Sequence, residues 1–508
     1  MMQNQARDAV LLTPAEMGEA DRQTIVAGTP GIVLMERAAQ AIAAAAVERY
    51  PQAGRIACLA GPGNNGGDAY AAASILRRSG RSVRLFHLVS PDRLSGDAAI
   101  AAAAYAGPLE ALSRFRPDDF DLVIDGLFGA GLSRSLGGDV AKLVDALNAS
   151  VTPVLAIDLP SGISGSSGAV LGAAIEAAVT VTFFRPKPGH LLEPGRSQSG
   201  DLVVADIGIA PDVLDEIAPK TFENVPVLWR HRLALPIEDG HKYDRGHAVV
   251  FSGRASQTGA ARLSAMAGLR AGAGLVTVFS PASAILVNAS HLTAVMLKRC
   301  DSEAELEALL EDERINAFVL GPGFGAGEGA RAYATTVLAA GRRLVLDADG
   351  ITSFQDEPET LSAATATSSQ SRADGQPALV LTPHAGEFRR LFPDLAESED
   401  LSKLDRARQA AARAHAVVVL KGRDTVIAAP DGRAAINATG TPWLATAGSG
   451  DVLAGIIAAQ LAQGMPSFEA ASAGVWMHGK AAEAFGPGLI AEDLPKLLPQ
   501  VLAELCGG

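Results

Sequence analysis

The sequence predicts an α/β protein of two domains, each built on a mostly parallel sheet with helices on both faces. Short apolar runs alternate with helix-length segments along nearly the whole chain, which is the pattern of strands joined by crossover helices. The alternation occurs twice, with a lapse between, and 508 residues exceed what one core of this kind usually holds. Many of the 53 glycines stand directly after an apolar run, where backbone can approach a ligand closely.

In the first half, Arg55–Ala60 reads as a strand, Gly61–Gly67 as a turn and Asp68–Ser79 as a helix. Strands follow at Ser82–Leu88, Leu122–Asp125, Pro153–Asp158, Ala178–Phe184 and Leu202–Ile207. Pro211–Gly240 breaks the pattern with Pro219, Pro226 and Pro236 and sets a boundary near residue 225, giving domains over 1–224 and 225–508. The second alternation runs through Ala248–Ser252, Leu275–Phe279, Ala317–Leu320, Arg343–Leu346, Ala378–Leu381 and Ala416–Leu420. Ser362–Gln376, rich in Ala, Ser and Thr, reads as a surface loop or insertion. The halves share a fold class but no motif, as expected of a fusion rather than a duplication.

Composition narrows the function. With 48% hydrophobic and 19% charged residues the chain can bury large cores, which excludes global disorder. A net charge of -13 argues against nucleic acid as the main partner, since phosphate backbones call for clustered Lys and Arg. Cys58, Cys300 and Cys506 are scattered, with neither disulfide-framework nor zinc spacing. The first residues lack a signal pattern and no apolar run is long enough to span a membrane, so a cytoplasmic protein is expected.

Three strand ends of the first half carry chemistry. Gly61-Pro62-Gly63-Asn64-Asn65-Gly66-Gly67-Asp68 follows a strand and opens a helix. Backbone N–H groups there can converge on a phosphate, aided by the partial positive charge of the helix N-terminus. The pattern is neither the dinucleotide fingerprint nor the lysine-bearing P-loop. Asp125-Gly126-Leu127-Phe128-Gly129-Ala130-Gly131-Leu132 and Asp158-Leu159-Pro160-Ser161-Gly162 end two further strands. Ligands of open α/β sheets sit at the carboxyl ends of strands, so Asn65, Asp125 and Ser161 would meet there. Their oxygen atoms suit a hard cation. Each taken alone also fits a helix cap or a turn.

The second half is dominated by Asn437–Gly455, in which Gly448-Ser449-Gly450-Asp451 opens an apolar helix expected to run through Gln460. Amides at that N-terminus can stabilise charge on a transferring phosphoryl group, and Asp451 can accept a proton from an attacking hydroxyl. The plain alternative is that Asp451 only caps the helix.

GPGNNGGDA, DGLFGAGLSR, DLPSG and Thr182–Gly189 (TFFRPKPG), with Leu12–Ala39 before them, resemble the NAD(P)H-hydrate epimerase family over residues 10–215. The resemblance implies a Rossmann-like three-layer αβα sandwich acting on NADHX and NADPHX, the hydrated forms of NADH and NADPH. It further implies that Asn64, Asn65, Gly66, Gly67 and Asp68, with Gly129, Ala130, Gly131, Leu132, Ser133, Arg134 and Ser135, hold the substrate. By the same transfer Asn65, Asp125 and Ser161 bind K+, and Asp158 contacts substrate as the acid/base. Lys187 either assists electrostatically or is a surface residue.

The GxGD helix start resembles ribokinase-like kinases. Gly321–Gly325 (GPGFG), Asp347–Gly350 (DADG), Thr382–Phe388 (TPHAGEF) and Lys421–Thr425 (KGRDT) narrow this to a resemblance to ADP- or ATP-dependent NAD(P)H-hydrate dehydratase from His241 onward. The implied fold is a ribokinase-like αβα domain. Lys421, Gly422, Arg423, Asp424, Thr425 and Gly450 would bind nucleotide, and Ala260, Gly323, His384 and Asp451 substrate. Mg2+ would accompany ADP or ATP, with Glu387 either ordering it or capping a helix. Gln257, Thr441 and Trp443 depart from the family pattern. The implied partners are NADHX or NADPHX and ADP or ATP, with no nucleic acid and no membrane; homo-oligomerisation is left open. A kinase for a vitamin-like alcohol shares GxGD but does not account for the first half. A non-catalytic scaffold does not account for the complete set Asn65, Asp125, Asp158 and Ser161.

Overall fold

The computed structural model describes residues 7–234, 239, 241–372 and 374–507. Pro236 and Gly240, part of the expected irregular segment, lie outside the described residues. The chain forms two compact units, Met1–Thr221 and Phe222–Gly508.

The first unit holds a sheet of β1 (Arg55–Ala60), β2 (Ser82–His87), β3 (Leu109–Ala111), β4 (Leu122–Gly126), β5 (Val154–Ile157), β6 (Val179–Phe183) and β7 (Asp201–Ala205). The strands lie in the order β3-β2-β1-β4-β5-β6-β7, every neighbour parallel. That is the doubly wound, Rossmann-like order, and its direction reverses between β1 and β4, where a crevice opens at the strand ends. β4, β5 and β6 are buried along their whole length, as follows from helices covering both faces. The helices that matter for the site are α1 (Pro14–Val26), α2 (Gly31–Arg49), α3 (Asn64–Arg78) and α4 (Gly96–Ala104). α1 starts at a full capping box, Thr13 with Glu16, and at Pro14 in the first turn. α3 starts at Asn64, four residues before the expected Asp68, because Gly66 and Gly67 lie inside its first turn. A side chain on Gly66 would stand 2.1 Å from the Gly61 carbonyl oxygen, and one on Gly67 2.6 Å from Met35.

The second sheet contains β8 (Thr221–Glu223), β9 (His247–Phe251), β10 (Leu275–Ser280), β11 (Met296–Arg299), β12 (Ile315–Leu320), β13 (Arg343–Leu346), β14 (Leu379–Leu381), β15 (Val417–Leu420), β16 (Val426–Ala428) and β17 (Ala434–Ile436). Its order is β11-β10-β9-β12-β13-β14-β15-β16-β17-β8. The parallel part, β11 to β15, repeats the first unit's winding. β16 and β17 then continue it antiparallel. Helices α5 (Gly259–Arg270), α6 (Glu328–Ala339), α7 (Pro358–Ser371), α8 (Ala385–Leu391), α9 (Lys403–Ala414), α10 (Ser449–Ala462) and α11 (Ser467–Phe485) flank the sheet. α10 is apolar on nearly every side and almost wholly buried, packed between α5 and α11.

The loop expected over Ser362–Gln376 is corrected: up to Ser371 this segment belongs to α7. Pro358 sits in the first turn, and Leu361, Thr365 and Ser368 are buried at spacings of four and three, one helical stripe of small side chains. α10 also runs past the expected end at Gln460, to Ala462. Among the described residues no helix is long and apolar enough to cross a membrane.

Candidate functional site

In the first unit a cavity of about 690 Å3 opens at the carboxyl ends of β1 and β4. Its wall includes Asn64, Asn65, Asp68, Gly129, Ala130, Gly131, Leu132, Ser133, Arg134, Asp158 and Lys187. Gly66, Gly67 and Ser135 are not on that wall. The two glycines let α3 pack closely against the Gly61 turn and against α2. Gly61 explains the close seam between the two turns: a side chain there would stand 1.7 Å from the Leu127 carbonyl oxygen.

Asp158 is the electrostatic centre. Its backbone lies in the left-handed region (φ 63), an unusual conformation for an aspartate and one that functional sites retain. One carboxylate oxygen accepts from Lys187 Nζ (2.6 Å) and Thr182 Oγ1 (2.9 Å), the other from the Ala130 N–H (3.1 Å). Burial works to raise its pKa, but Lys187 overrides this and holds it down to about 2. Lys187 is 1% exposed, which decides between the two readings of that lysine. His190 Nδ1 accepts from the Lys187 N–H (2.9 Å), so Nε2 carries the proton it donates to the Asp158 carbonyl (2.7 Å). Burial lowers this imidazole to about 4 and keeps it neutral.

Asp125 is fully buried behind the seam. It accepts from the Ser161 hydroxyl (2.7 Å), the Ser161 N–H (2.8 Å) and the Leu127 N–H (3.1 Å). Burial raises it to about 6 against these bonds. The Asn65 amide is satisfied with its nitrogen donating to the Ile157 carbonyl (3.1 Å) and its oxygen accepting from the Gly129 N–H (3.2 Å). No cationic side chain pairs with Asp125 among the described residues. The Ser161 hydroxyl and two backbone N–H groups are thus what face this buried carboxylate.

Two carboxylates on the same wall behave unlike Asp158. Asp68, on α3, is pushed well above the usual range by burial, then by Asp158 and Asp21. Asp21, on α1, is pushed up to about 6 by burial, with Asp158 adding to the rise and Lys187 opposing it. Sequence reasoning passed over Asp21, because α1 reads as an ordinary charged helix face.

In the second unit the strand ends of β9 and β12 meet so closely that a side chain on Gly253 would stand 1.8 Å from the Gly323 carbonyl oxygen. Gly323 has a left-handed backbone (φ 65), and the Ala260 methyl lies 3.6 Å from where its side chain would be. Farther along the sheet, Asp347 at the end of β13 accepts from Thr382 Oγ1 (2.8 Å) and Lys421 Nζ (2.9 Å). Lys421 is also 3.9 Å from Glu387. A side chain on Gly450 would lie 3.4 Å from Lys421 Nζ and 3.7 Å from Asp347 Oδ2, so both groups sit under the N-terminus of α10. Asp451, in that first turn, is raised to about 6 by burial and by Asp347, with Lys421 opposing. Ser449 is held by His478, 3.1 Å from its hydroxyl.

His384 and Glu387 form a capping box: Nδ1 of His384 accepts from the Gly386 N–H (2.9 Å) and Glu387 accepts from the His384 N–H (2.8 Å). The imidazole is nonetheless exposed at its other edge, with 56% of the side chain accessible. In the loop after β15, Thr425 Oγ1 donates to the Gly422 carbonyl (2.9 Å) and Asp424 pairs with Lys403 (2.5 Å), which gives the loop a fixed shape. Among the described residues no three or more His, Cys, Asp or Glu side chains converge as a metal cage.

The family comparisons match each unit. A model described as "YjeF-related protein N-terminus" matches residues 31–189, and one described as "NAD(P)H-hydrate dehydratase" matches residues 248–502. A bifunctional NAD(P)H-hydrate repair enzyme from Thermofilum pendens is 37% identical over 93% of this chain and 92% of its own length. One from Moorella thermoacetica is 36% identical over 97% of each chain. Among solved structures, an ADP/ATP-dependent NAD(P)H-hydrate dehydratase from Bacillus subtilis, co-crystallised with ATP and Mg2+, is 28% identical at a TM-score of 0.46; the match covers 54% of this chain and 95% of that one. The full-length relatives span both units, each in its place, and the chain belongs to the family of bifunctional NAD(P)H-hydrate repair enzymes.

Proposed function

We propose that the first unit's cavity interconverts the R and S forms of NADHX and NADPHX, and that the α10 end of the second unit dehydrates the S form at the expense of ADP or ATP. The observation that carries this division is the contrasting setting of two aspartates: Asp158 is bonded directly to Lys187 Nζ in the first cavity, whereas Asp451 stands in the first turn of α10 above a lysine already bonded to Asp347, where burial raises it. A permanent carboxylate suits a substrate that gains positive charge at its ring. A base with a pKa near 6 suits proton removal from an attacking hydroxyl.

In the first unit, Asn64, Asp68 and the Gly129–Arg134 segment would line the substrate. Asp158 would face the reacting ring carbon and stabilise charge there. Asn65, Asp125 and Ser161 fit K+, because Asp125 is a buried carboxylate without a cationic side chain and its neighbours offer oxygen. When bound, K+ would supply the missing positive charge and hold the two turns in register.

In the second unit, Ala260, Gly323 and His384 would seat the substrate and Lys421–Thr425 with Gly450 the nucleotide. Asp451 would take the proton of the substrate hydroxyl as it attacks the terminal phosphate, and the amides of Gly448–Gly450 would receive the developing charge. Phosphate then leaves where hydroxide leaves poorly, giving NADH or NADPH. Mg2+ would be held mostly by the nucleotide's own phosphates with Glu387 nearby, since no all-protein cage of His, Cys, Asp or Glu is found among the described residues; it would neutralise phosphate charge.

The test is incubation with chemically hydrated NADH, both epimers present, followed through the reduced-nicotinamide absorbance. The intact chain with ADP or ATP should regenerate NADH from both epimers, and Asp158→Asn from the S form only. Regeneration without any nucleotide, or none with either, would overturn the reading.

A further inference from the structure

Inversion at the hydrated carbon needs a proton donor as well as a charge stabiliser, and Asp158 is unsuited to donate. The hydroxyl of the hydrate sits on the carbon beside the ring nitrogen. It departs as water once protonated, while the nitrogen lone pair closes a C=N+ bond. The cavity therefore calls for a second acid within reach of the substrate.

We propose that Asp21 is that acid: it lines the same cavity as Asp158, Asp68 and Lys187 and belongs to α1, which lies before the matched family segment 31–189. This inference rests on the reading of the cavity as the epimerisation site.

The surroundings of Asp21 support the role. Lys187 draws it towards ionisation, but that cation is already committed to Asp158 and Thr182. Burial presses the other way, as does Asp158, while Asp21 in turn helps to raise Asp68. Farther along the same wall stand Asp97 on α4 and Arg134. On the segment Val213–Ile217, which packs against α1, Asp215 is paired with Arg7 outside the cavity, and Glu216 lies near Arg22. Asp21 is thus a carboxyl that keeps a proton close to neutral pH, beside one that does not. Two acids with opposed protonation across one substrate give a donor and a cation stabiliser.

The step balances. The Asp21 proton moves to the hydroxyl oxygen, the C–O bond breaks with its electron pair going to the departing water, and the ring carries the positive charge against Asp158. Water then adds to the opposite face and gives up a proton to solvent, and Asp21 is reprotonated from solvent for the next turnover.

The experiment measures epimerisation by Asp21→Asn and Asp21→Glu in the full chain across pH, after subtracting the uncatalysed rate. The wild-type kcat/KM should fall as pH rises through about 6, because the donor must be protonated. Asp21→Asn should lose roughly 10²-fold, the low end of general-acid contributions, chiefly in kcat, and should lose that limb. Asp21→Glu should recover part of the rate with the limb displaced. An Asp21→Asn enzyme with the wild-type rate, or with only a raised KM and the limb intact, overturns the proposal. If Asp21→Asn does not fold, the Glu variant decides: a displaced limb supports the proposal and an unmoved one overturns it. Asp158→Asn is run alongside. Activity in that variant would sink the site reading itself, whereas an inactive Asp158→Asn beside an unaffected Asp21→Asn sinks only this inference.

Discussion

Asp158 and Asp451 sit in units wound in the same strand order, yet each is set to a different task. Lys187 is buried and bonded directly to Asp158, so the carboxylate stays ionised despite its burial. Lys421 lies close to Asp451 but spends its hydrogen bond on Asp347, and the net effect on Asp451 is a rise. The position of one lysine relative to its nearest carboxylate decides whether a buried aspartate is a fixed charge or a usable base. The sheets differ in a related way. In the first unit the Pro62–Asn65 and Gly129–Arg134 turns and Asp158 line the crevice between β1 and β4. In the second, Gly253 and Gly323 meet at the equivalent crevice, and Asp347, Lys421 and Asp451 gather farther along the sheet at β13–β15 and α10.

The sharpest test of this contrast is Asp451→Asn. It keeps the size and much of the capping ability, so the fold should survive. It removes the base, which should cost dehydration at least about 10²-fold. Nucleotide affinity, measured separately, should persist through Lys421–Thr425, and epimerisation should be unchanged. Near-wild-type regeneration of NADH would reduce Asp451 to a helix cap.

Lys187→Met attacks the other side. It leaves Asp158 buried without its cation, and breaking such a pair typically costs about 3–5 kcal/mol. Epimerase activity should therefore be lost at lower temperature than in the wild type, while dehydratase activity follows its wild-type course. The pair also predicts acid sensitivity. Because the Asp158 pKa is depressed, its stabilisation is full above the unfolded value near 4 and is lost as pH falls through about 2. Equal heat inactivation of both activities in Lys187→Met would show that the ion pair is not what stabilises the first site.

A milder effect is expected for Asp125→Asn. Removing the charge but keeping the oxygen should weaken K+ dependence of epimerisation, with a rate loss of roughly tenfold, about what a lost charge-assisted contact is worth. Dehydration serves as the internal control. An unchanged response to K+ would remove the ion from this site.

Much of this was legible along the chain, for a physical reason. Asp158, Ser161 and Asp451 lie within a glycine-marked turn directly after a strand or at a helix start, and Asp125 is next to last in β4 beside Gly126, so local sequence places all four at a sheet's carboxyl end. Asp21 carries no such mark. It lies among Glu16, Glu19 and Arg22, which read as a solvated helix face, and only the packing of α1 over the cavity gives it a role. The Lys421–Asp347 pair joins residues 74 positions apart, and no local pattern announces it. The close packing of Gly66 on the Gly61 turn and of Gly67 on Met35 is equally unmarked, because a glycine in sequence fits ligand approach and tight packing alike. α7 was missed because Ala, Ser and Thr over Ser362–Ser371 resemble loop composition, although they fill a narrow helix interface.

The subtlest prediction turns Asp451 towards the state of Asp158. Asp347→Asn removes one negative charge that raises Asp451 and replaces the charged acceptor of Lys421 by a neutral, weaker one. Both changes favour the Asp451 carboxylate. Dehydration by the wild type should rise with pH through about 6, since the base must be ionised, and in Asp347→Asn that rise should occur at lower pH. At pH 8 the base is ionised in both proteins, so the rates there should differ by less than about tenfold, the span of one pKa unit. The measurement is single-turnover NADH regeneration with saturating nucleotide across pH 5–8, a range spanning about three units around the expected limb. An unmoved limb would mean that burial alone, and not the competition for Lys421, sets Asp451. A limb moved upward would mean that Asp347 anchors the lysine where Asp451 needs it, and the contrast between the two units would then rest on lysine placement by a partner rather than on lysine capture.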